Sequence, residues 1–375
     1  MDYETLRIIW WVLLGVLLIG FAAMDGFDLG TAALLPIVAR TDIERRIAIN
    51  TVGPVWEGNQ VWLITGAGAI FAAWPILYAA AFSGFYLAML LALASLILRP
   101  VGFKFRSKID DPRWRTLWDC ALVIGGVVPS LVFGIAFGNL FVGVPFSFAP
   151  DARFMPTISL ISLLNPFALL SGLISLSMIG LHGASWLAYK ASDEVARRAR
   201  ATIPWAGLAF VILFTVAGIW MSHLPGYAMG EGVDHNGLSS PLAGHAAAGL
   251  GAWGTRFGSN PAFWLAPFVA YLGVALAVAF SRRHSLLALI SSALVPLGVI
   301  ASAGLTLFPF LLPSSSDPAM SLTLWNASSS KLTLWVMLGV VVIFMPIIIA
   351  YTSYVYRVLR GPVTAESVNA DHHSY

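Results

Sequence analysis

Apolar runs of membrane length follow one another along most of this chain, separated by short polar stretches rich in arginine. Spanning a hydrocarbon core takes about 20 apolar residues, roughly 17–25 with tilt. By that measure nine segments stand out, over 8–38, 55–74, 77–98, 118–143, 158–189, 203–222, 261–281, 285–312 and 331–357. The first and fifth are long enough to tilt strongly or to project beyond the bilayer. Trp74-Pro75 alone separates the second from the third, which marks a tight hairpin, and Asn165-Pro166 marks a kink in the fifth. The pattern predicts an all-α polytopic membrane protein. Its transmembrane domain covers 1–357, outer loop 223–260 included, and a short cytoplasmic tail covers 358–375. Loop 223–260 has no apolar period and reads as a surface excursion; 313–330 is polar and turn-prone. No strong internal repeat is visible.

Composition agrees with the pattern: 58% of residues are hydrophobic and 10% charged, against about 25% charged in a soluble domain. The net charge of +3 does not point to nucleic acid, because the basic residues are concentrated in loops on one side. Loops 39–54, 99–117 and 190–202, the 282–283 turn, and Arg357 and Arg360 at and after the end of the last segment account for 17 of the 21 Lys and Arg. Such asymmetry sets orientation, with the N-terminus outside and the C-terminus in the cytoplasm. The acidic start MDYETLR and the length of the first apolar run argue for an uncleaved first span rather than a secretory signal.

Candidate chemistry lies in three carboxylates. Asp25 and Asp28 sit three apart, on one helix face, deep in the first segment. Glu57 stands three residues after Pro54 at the start of the second. An acid at the centre of a membrane helix costs roughly 2.5–3.5 kcal/mol on insertion scales, and intramembrane acids mark proton or ion handling by default. Topology brings all three to the cytoplasmic half. Each has a bland reading too. Glu57 in a first helical turn suits the helix dipole, and Asp25 and Asp28 suit an ion pair with Arg45, Arg46 or Arg99. Gly26 and Gly30 permit close helix approach.

The other residue types narrow the picture. A single cysteine, Cys120, excludes a disulfide framework, a CxxCH haem attachment and a cysteine-ligated cluster. Of seven histidines, only His182 lies within a segment, so no facing pair offers bis-histidine haem ligation. His223, His284, His372 and His373 lie outside the segments. His235 and His245 with Asp234 have a loose spacing from which nothing specific is expected. Trp10, Trp11, Trp56, Trp62, Trp74, Trp114 and Trp118 read as an interfacial aromatic belt. Redox carriers must therefore be non-covalent, such as quinone, or belong to another subunit.

The stretches MDGFDLG (24–30), VWEGNQVWLITGAGAIFAAWP (55–75), YAAAFSGFYLAMLLALASLILRPVGFKFRSK (78–108), FGNLFVGVPF (137–146), LLNPFALLSGL (163–173) and FPFLLPSS (308–315) resemble subunit II of the cytochrome bd-type quinol oxidases, the cyanide-insensitive oxidases included. The resemblance runs in order to about residue 357. It implies nine transmembrane helices, arranged as two four-helix bundles plus one peripheral helix. It implies a haem-bearing subunit I as partner, with small single-span subunits in some complexes. It implies quinol oxidation with reduction of dioxygen to water in the bacterial inner membrane, the protons being taken from the cytoplasm without pumping. The b-type and d-type haems are expected in subunit I and none in this chain; some members hold a ubiquinone in subunit II. The acid of the W-[DE]-G-N-Q motif, on a proton path in the family, falls on Glu57, flanked by Trp56, Asn59 and Gln60. Aspartate is commoner there, so this chain differs by one methylene. The D-G-F-D pair falls on Asp25 and Asp28, and Arg99 on R-P-V-G-F.

Two readings compete with a proton-delivering, non-haem subunit. One is a proton-coupled secondary transporter, which calls for midplane acids in broken helices with inverted repeats. The other is a purely structural assembly subunit whose acids only pair with arginines.

Overall fold

A computed structural model describes residues 1–370; His372 and His373 lie outside the described residues. The first predicted segment is one unbroken helix, α1 (Tyr3–Val38), of 36 residues. At about 1.5 Å per residue it is close to 54 Å long and overshoots a ~30 Å core. The polar stretch 39–54, read as a loop, contains an amphipathic helix instead, α2 (Asp42–Val52), opened by a capping box between Thr41 and Glu44. The second segment is α3 (Trp56–Ala73). The third divides into α4 (Pro75–Gly84) and α5 (Tyr86–Phe105) at Phe85, whose backbone leaves helical geometry.

The fourth segment is α6 (Pro112–Val142), followed by a hairpin of β1 (Phe146–Phe148) and β2 (Phe154–Pro156). The kink expected at Asn165-Pro166 is a full break. A short α7 (Leu160–Leu163) ends there, and Asn165 caps α8 (Pro166–Lys190), accepting from the Ala168 amide while Pro166 takes the first helical position. Helix α9 spans Asp193–Met221. Then come β3 (Pro225–Met229), β4 (Ala246–Leu250) and α10 (Ala252–Ser259). Helices α11 (Leu265–Phe280) and α12 (Ser285–Leu307) follow, then β5 (Phe310–Leu312) and β6 (Leu322–Thr323), α13 (Lys331–Val358) and α14 (Ala365–Ala370).

Among the described residues, eight helices are long and apolar enough to cross a membrane. Helix α3 falls outside that set because its first turns carry Glu57, Asn59 and Gln60. Helices α1, α3, α5 and α6 pack together, α8, α9, α11 and α12 pack together, and α6 and α1 join the groups through α8. At that junction Gly30 and Gly183 meet backbone to backbone. A Cβ on Gly30 would lie 2.2 Å from the Ile179 carbonyl oxygen. Gly26 makes no such approach: its nearest neighbour, His182, is at 3.8 Å. Helix α13 lies at the edge, with Leu334 its one buried residue.

Helices run past the apolar core, so many of the basic residues, Arg45, Arg46, Arg113, Arg115, Arg197 and Arg198 among them, sit on helix ends and not in free loops. Arg99 lies within α5 and is buried. Arg106 bonds Asp119 and Asp42, Arg45 bonds Asp119, and Arg198 bonds Glu44. The tail folds back on this same end. Lys190 Nζ donates to the carbonyls of Leu359 and Gly361, the Val363 amide donates to Lys190 O, and Arg46 donates to Val368 O. At the opposite end, 223–260 is far more ordered than a surface excursion. Its β3–β4 hairpin packs Tyr227 against a buried Trp253, and burial pushes the Tyr227 phenol up to about 12. Arg7 pins the loop through the carbonyls of His235 and Gly237. Two of the expected belt tryptophans, Trp10 and Trp74, are buried inside the protein, Trp10 donating to Leu334 O.

Candidate functional site

Asp25 and Asp28 project from the middle of α1 and are both fully buried, but they meet different partners. Arg99 of α5 donates from Nη1 and Nη2 to the two carboxylate oxygens of Asp25, at 2.9 and 3.0 Å. This is the bidentate fork in which a guanidinium best matches a carboxylate. Among the arginines weighed from sequence, Arg99 is the one that pairs; Arg45 and Arg46 are engaged elsewhere. Asp28 takes no cation among the described residues. Its Oδ2 accepts from Asn59 Nδ2 at 2.9 Å, and its Oδ1 has no hydrogen-bond partner among them. Asn59 Oδ1 in turn accepts from the Tyr356 hydroxyl at 2.7 Å. Helices α1, α3 and α13 are thus joined by one polar line, Asp28–Asn59–Tyr356.

Glu57 is not part of this buried set. It sits in the first turn of α3 and is exposed, and it takes no hydrogen bond or ion pair among the described residues. Trp56 is half-buried beside Phe103, and Gln60 is half-buried. The motif therefore splits across the helix: Asn59 points inward to the acids and Glu57 outward. The exposed face of α3 continues as Val61, Ile64, Gly68 and Phe71. These positions recur at four- and three-residue steps, the repeat of a single helix stripe.

Sequence reasoning found the two aspartates, Glu57, Asn59 and Arg99. It missed Tyr356, whose polar partner lies 297 positions away. It also missed Asp119, which gathers Arg45 and Arg106 at the basic end of the molecule.

His182 does not fit haem ligation. Nε2 donates to the Ala23 carbonyl at 2.8 Å, and Nδ1 lies 2.7 Å from Ser292 Oγ, so both ring nitrogens are engaged. His235 bonds Glu4 at 2.8 Å and stacks on Trp325. No group of three or more His, Cys, Asp or Glu suited to a metal occurs among the described residues. A cavity of about 540 Å³ opens between the two helix groups, lined by Phe21, Phe133, Phe141, Phe167, Met178 and Phe214, with Thr215 and Tyr271 as a polar fringe. The Thr215 and Tyr271 hydroxyls are hydrogen-bonded to each other at 2.8 Å.

Known proteins share this architecture and sequence. A solved structure described as bd oxidase from Geobacillus thermodenitrificans superposes with a TM-score of 0.67, covering 95% of this chain and 99% of that one at 15% identity. At that identity the likeness concerns the fold. A probable cytochrome oxidase subunit 2 from Haemophilus influenzae is 49% identical, over 100% of this chain and 99% of the relative. Cytochrome bd-I ubiquinol oxidase subunit 2 from Escherichia coli K12 is 46% identical over the same shares. Residues 6–359 match the family described as cytochrome bd terminal oxidase subunit II. With its embedded acids and its motifs all inside that match, this chain belongs to the cytochrome bd terminal oxidase subunit II family.

Proposed function

We propose that the chain is the non-haem subunit of a quinol:oxygen oxidoreductase in the bacterial cytoplasmic membrane. It supports a haem-bearing subunit I, where the b-type and d-type haems reside, and it supplies protons from the cytoplasm through Glu57, with Asp25 and Asp28 upstream. The N-terminus is periplasmic and the C-terminus cytoplasmic. Residues 1–357 form one domain of nine spans, with α3 counted as a span. The spans form a bundle of α1, α3, α4–α5 and α6, a second of α8, α9, α11 and α12, and a peripheral α13. The E. coli relative is named as a ubiquinol oxidase subunit, which supports ubiquinol as reductant. The apolar cavity has the chemistry to hold a quinone within this subunit, and small single-span subunits complete the assembly.

The observation that carries the reading is the division of labour on α3. Its inner face reaches Asp28 through Asn59, while its outer face presents Glu57 at one end of an otherwise apolar stripe. A carboxylate at the rim of such a stripe is better met by a protein partner than by lipid. The unbroken course of α1 through both aspartates tells against the transporter reading, which calls for discontinuous helices. The structural reading has specific support at Asp25 alone, because Arg99 clamps it.

Glu57→Gln in the purified complex tests the proposal. Proton donors and acceptors of this kind contribute roughly 100-fold or more to rate, so oxygen uptake is expected to fall at least tenfold, with the haem spectrum and subunit composition unchanged. Unaltered turnover would return Glu57 to a helix-dipole role.

A further inference from the structure

The amide of Asn59 has two ends, and only one orientation presents its NH2 to Asp28. Exchanging the ends would set the carbonyl oxygen against the carboxylate. The carboxylate, which only accepts, takes the NH2, and this leaves Asn59 Oδ1 facing the Tyr356 hydroxyl at 2.7 Å, so the phenol donates to it. Asn59 is buried and its Nδ2 is 2.9 Å from Asp28 Oδ2. Tyr356 itself is half-buried, with its ring edge-on to Trp186 at 6.2 Å, and Trp186 stacks on Phe27, the neighbour of Asp28. Helix α13 has little packing of its own to fix this tyrosine. The chain beyond it supplies the hold, through Lys190 on the carbonyls of Leu359 and Gly361, the Val363 amide on the Lys190 carbonyl and a buried Val368.

We infer that Tyr356 is a positioning residue for the proton path: its hydroxyl anchors the carbonyl end of the Asn59 amide and so holds the NH2 end against Asp28. The inference rests on the proton-path reading and adds to it a residue on the far helix that never touches the acid. The phenol acts through the amide, so its loss leaves Asp28 and Asn59 in place but the Asn59 carbonyl without its donor, and the amide free to shift against the acid.

The test uses the complete complex carrying Tyr356→Phe, which removes one oxygen and keeps the ring. Asp28→Asn identifies the Asp28 carboxyl band by infrared difference spectroscopy. In Tyr356→Phe that band is expected to shift, and oxygen turnover to fall roughly three- to tenfold, the range one hydrogen bond commands, with KM for quinol unchanged. Asn59→Leu, which removes both bonds, is expected to shift the band at least as far; if Tyr356→Phe fails to assemble, that shift sustains the line, and an unmoved band in Asn59→Leu overturns it. A band in its native place in Tyr356→Phe overturns the positioning role even where Asp28→Asn slows turnover. Full turnover in Asp28→Asn overturns Asp28 as part of the proton path, and the role of Tyr356 in the reaction with it.

Discussion

Arg99 meets Asp25 with two bonds in a site that excludes water, so each charge depends on the other. Removing one member of a buried pair leaves the other uncompensated, at about 3–5 kcal/mol. Arg99→Met is therefore expected to lower the unfolding temperature of the complex markedly, and the double variant with Asp25→Asn to recover part of the loss. A single variant no worse than the double would show that the pair contributes little. The junction of α1 with α8 rests on an equally local fact, the missing side chain of Gly30. Gly30→Ala forces a carbon into the Ile179 carbonyl and is expected to cost about 1–3 kcal/mol. Gly66→Ala, whose added carbon meets nothing within 4 Å, serves as the control in the same thermal unfolding measurement.

At the scale of elements, α2 shows how the basic end is held together. Glu44 caps that helix and also receives Arg198 of α9 at 2.8 Å. Burial alone would raise its carboxyl. The Arg198 bond and the amides of Arg40 and Thr41 outweigh burial and bring it down to about 2, from 4.5. Since the folded value lies below the unfolded one, this contribution is complete above about pH 4.5 and is lost as pH falls through about 2. Glu44→Gln is expected to flatten the acid limb of a stability–pH profile, by on the order of 2–3 kcal/mol; an unchanged limb would place the stabilisation elsewhere. Hydropathy revealed nearly every spanning helix, because apolar length is what a bilayer selects. It did not reveal α2, whose partners are charged neighbours, nor the hairpin of 225–250, whose short strands lack a period long enough to read. The acids were legible because apolar surroundings make a carboxylate conspicuous. Tyr356 was not, because a tyrosine near a helix end looks like any interfacial aromatic.

For the whole molecule, the two ends differ in kind. One is woven from arginine, carboxylate and the returning tail; the other from small β-hairpins, aromatic contacts and a loop pinned by Arg7. Between them, the bond from Asn59 to Tyr356 has a consequence in time. Synthesis delivers α1 and α3, with both aspartates, long before α13 exists. At about 5–20 residues per second, the ribosome needs roughly 15–60 s to travel from Asn59 to Tyr356. Throughout that interval Asn59 has its acid and lacks its tyrosine. The polar line toward the basic end of the protein is closed by the last spanning helix to be made, so a chain cut short before it keeps its carboxylates and loses the group that anchors their amide partner.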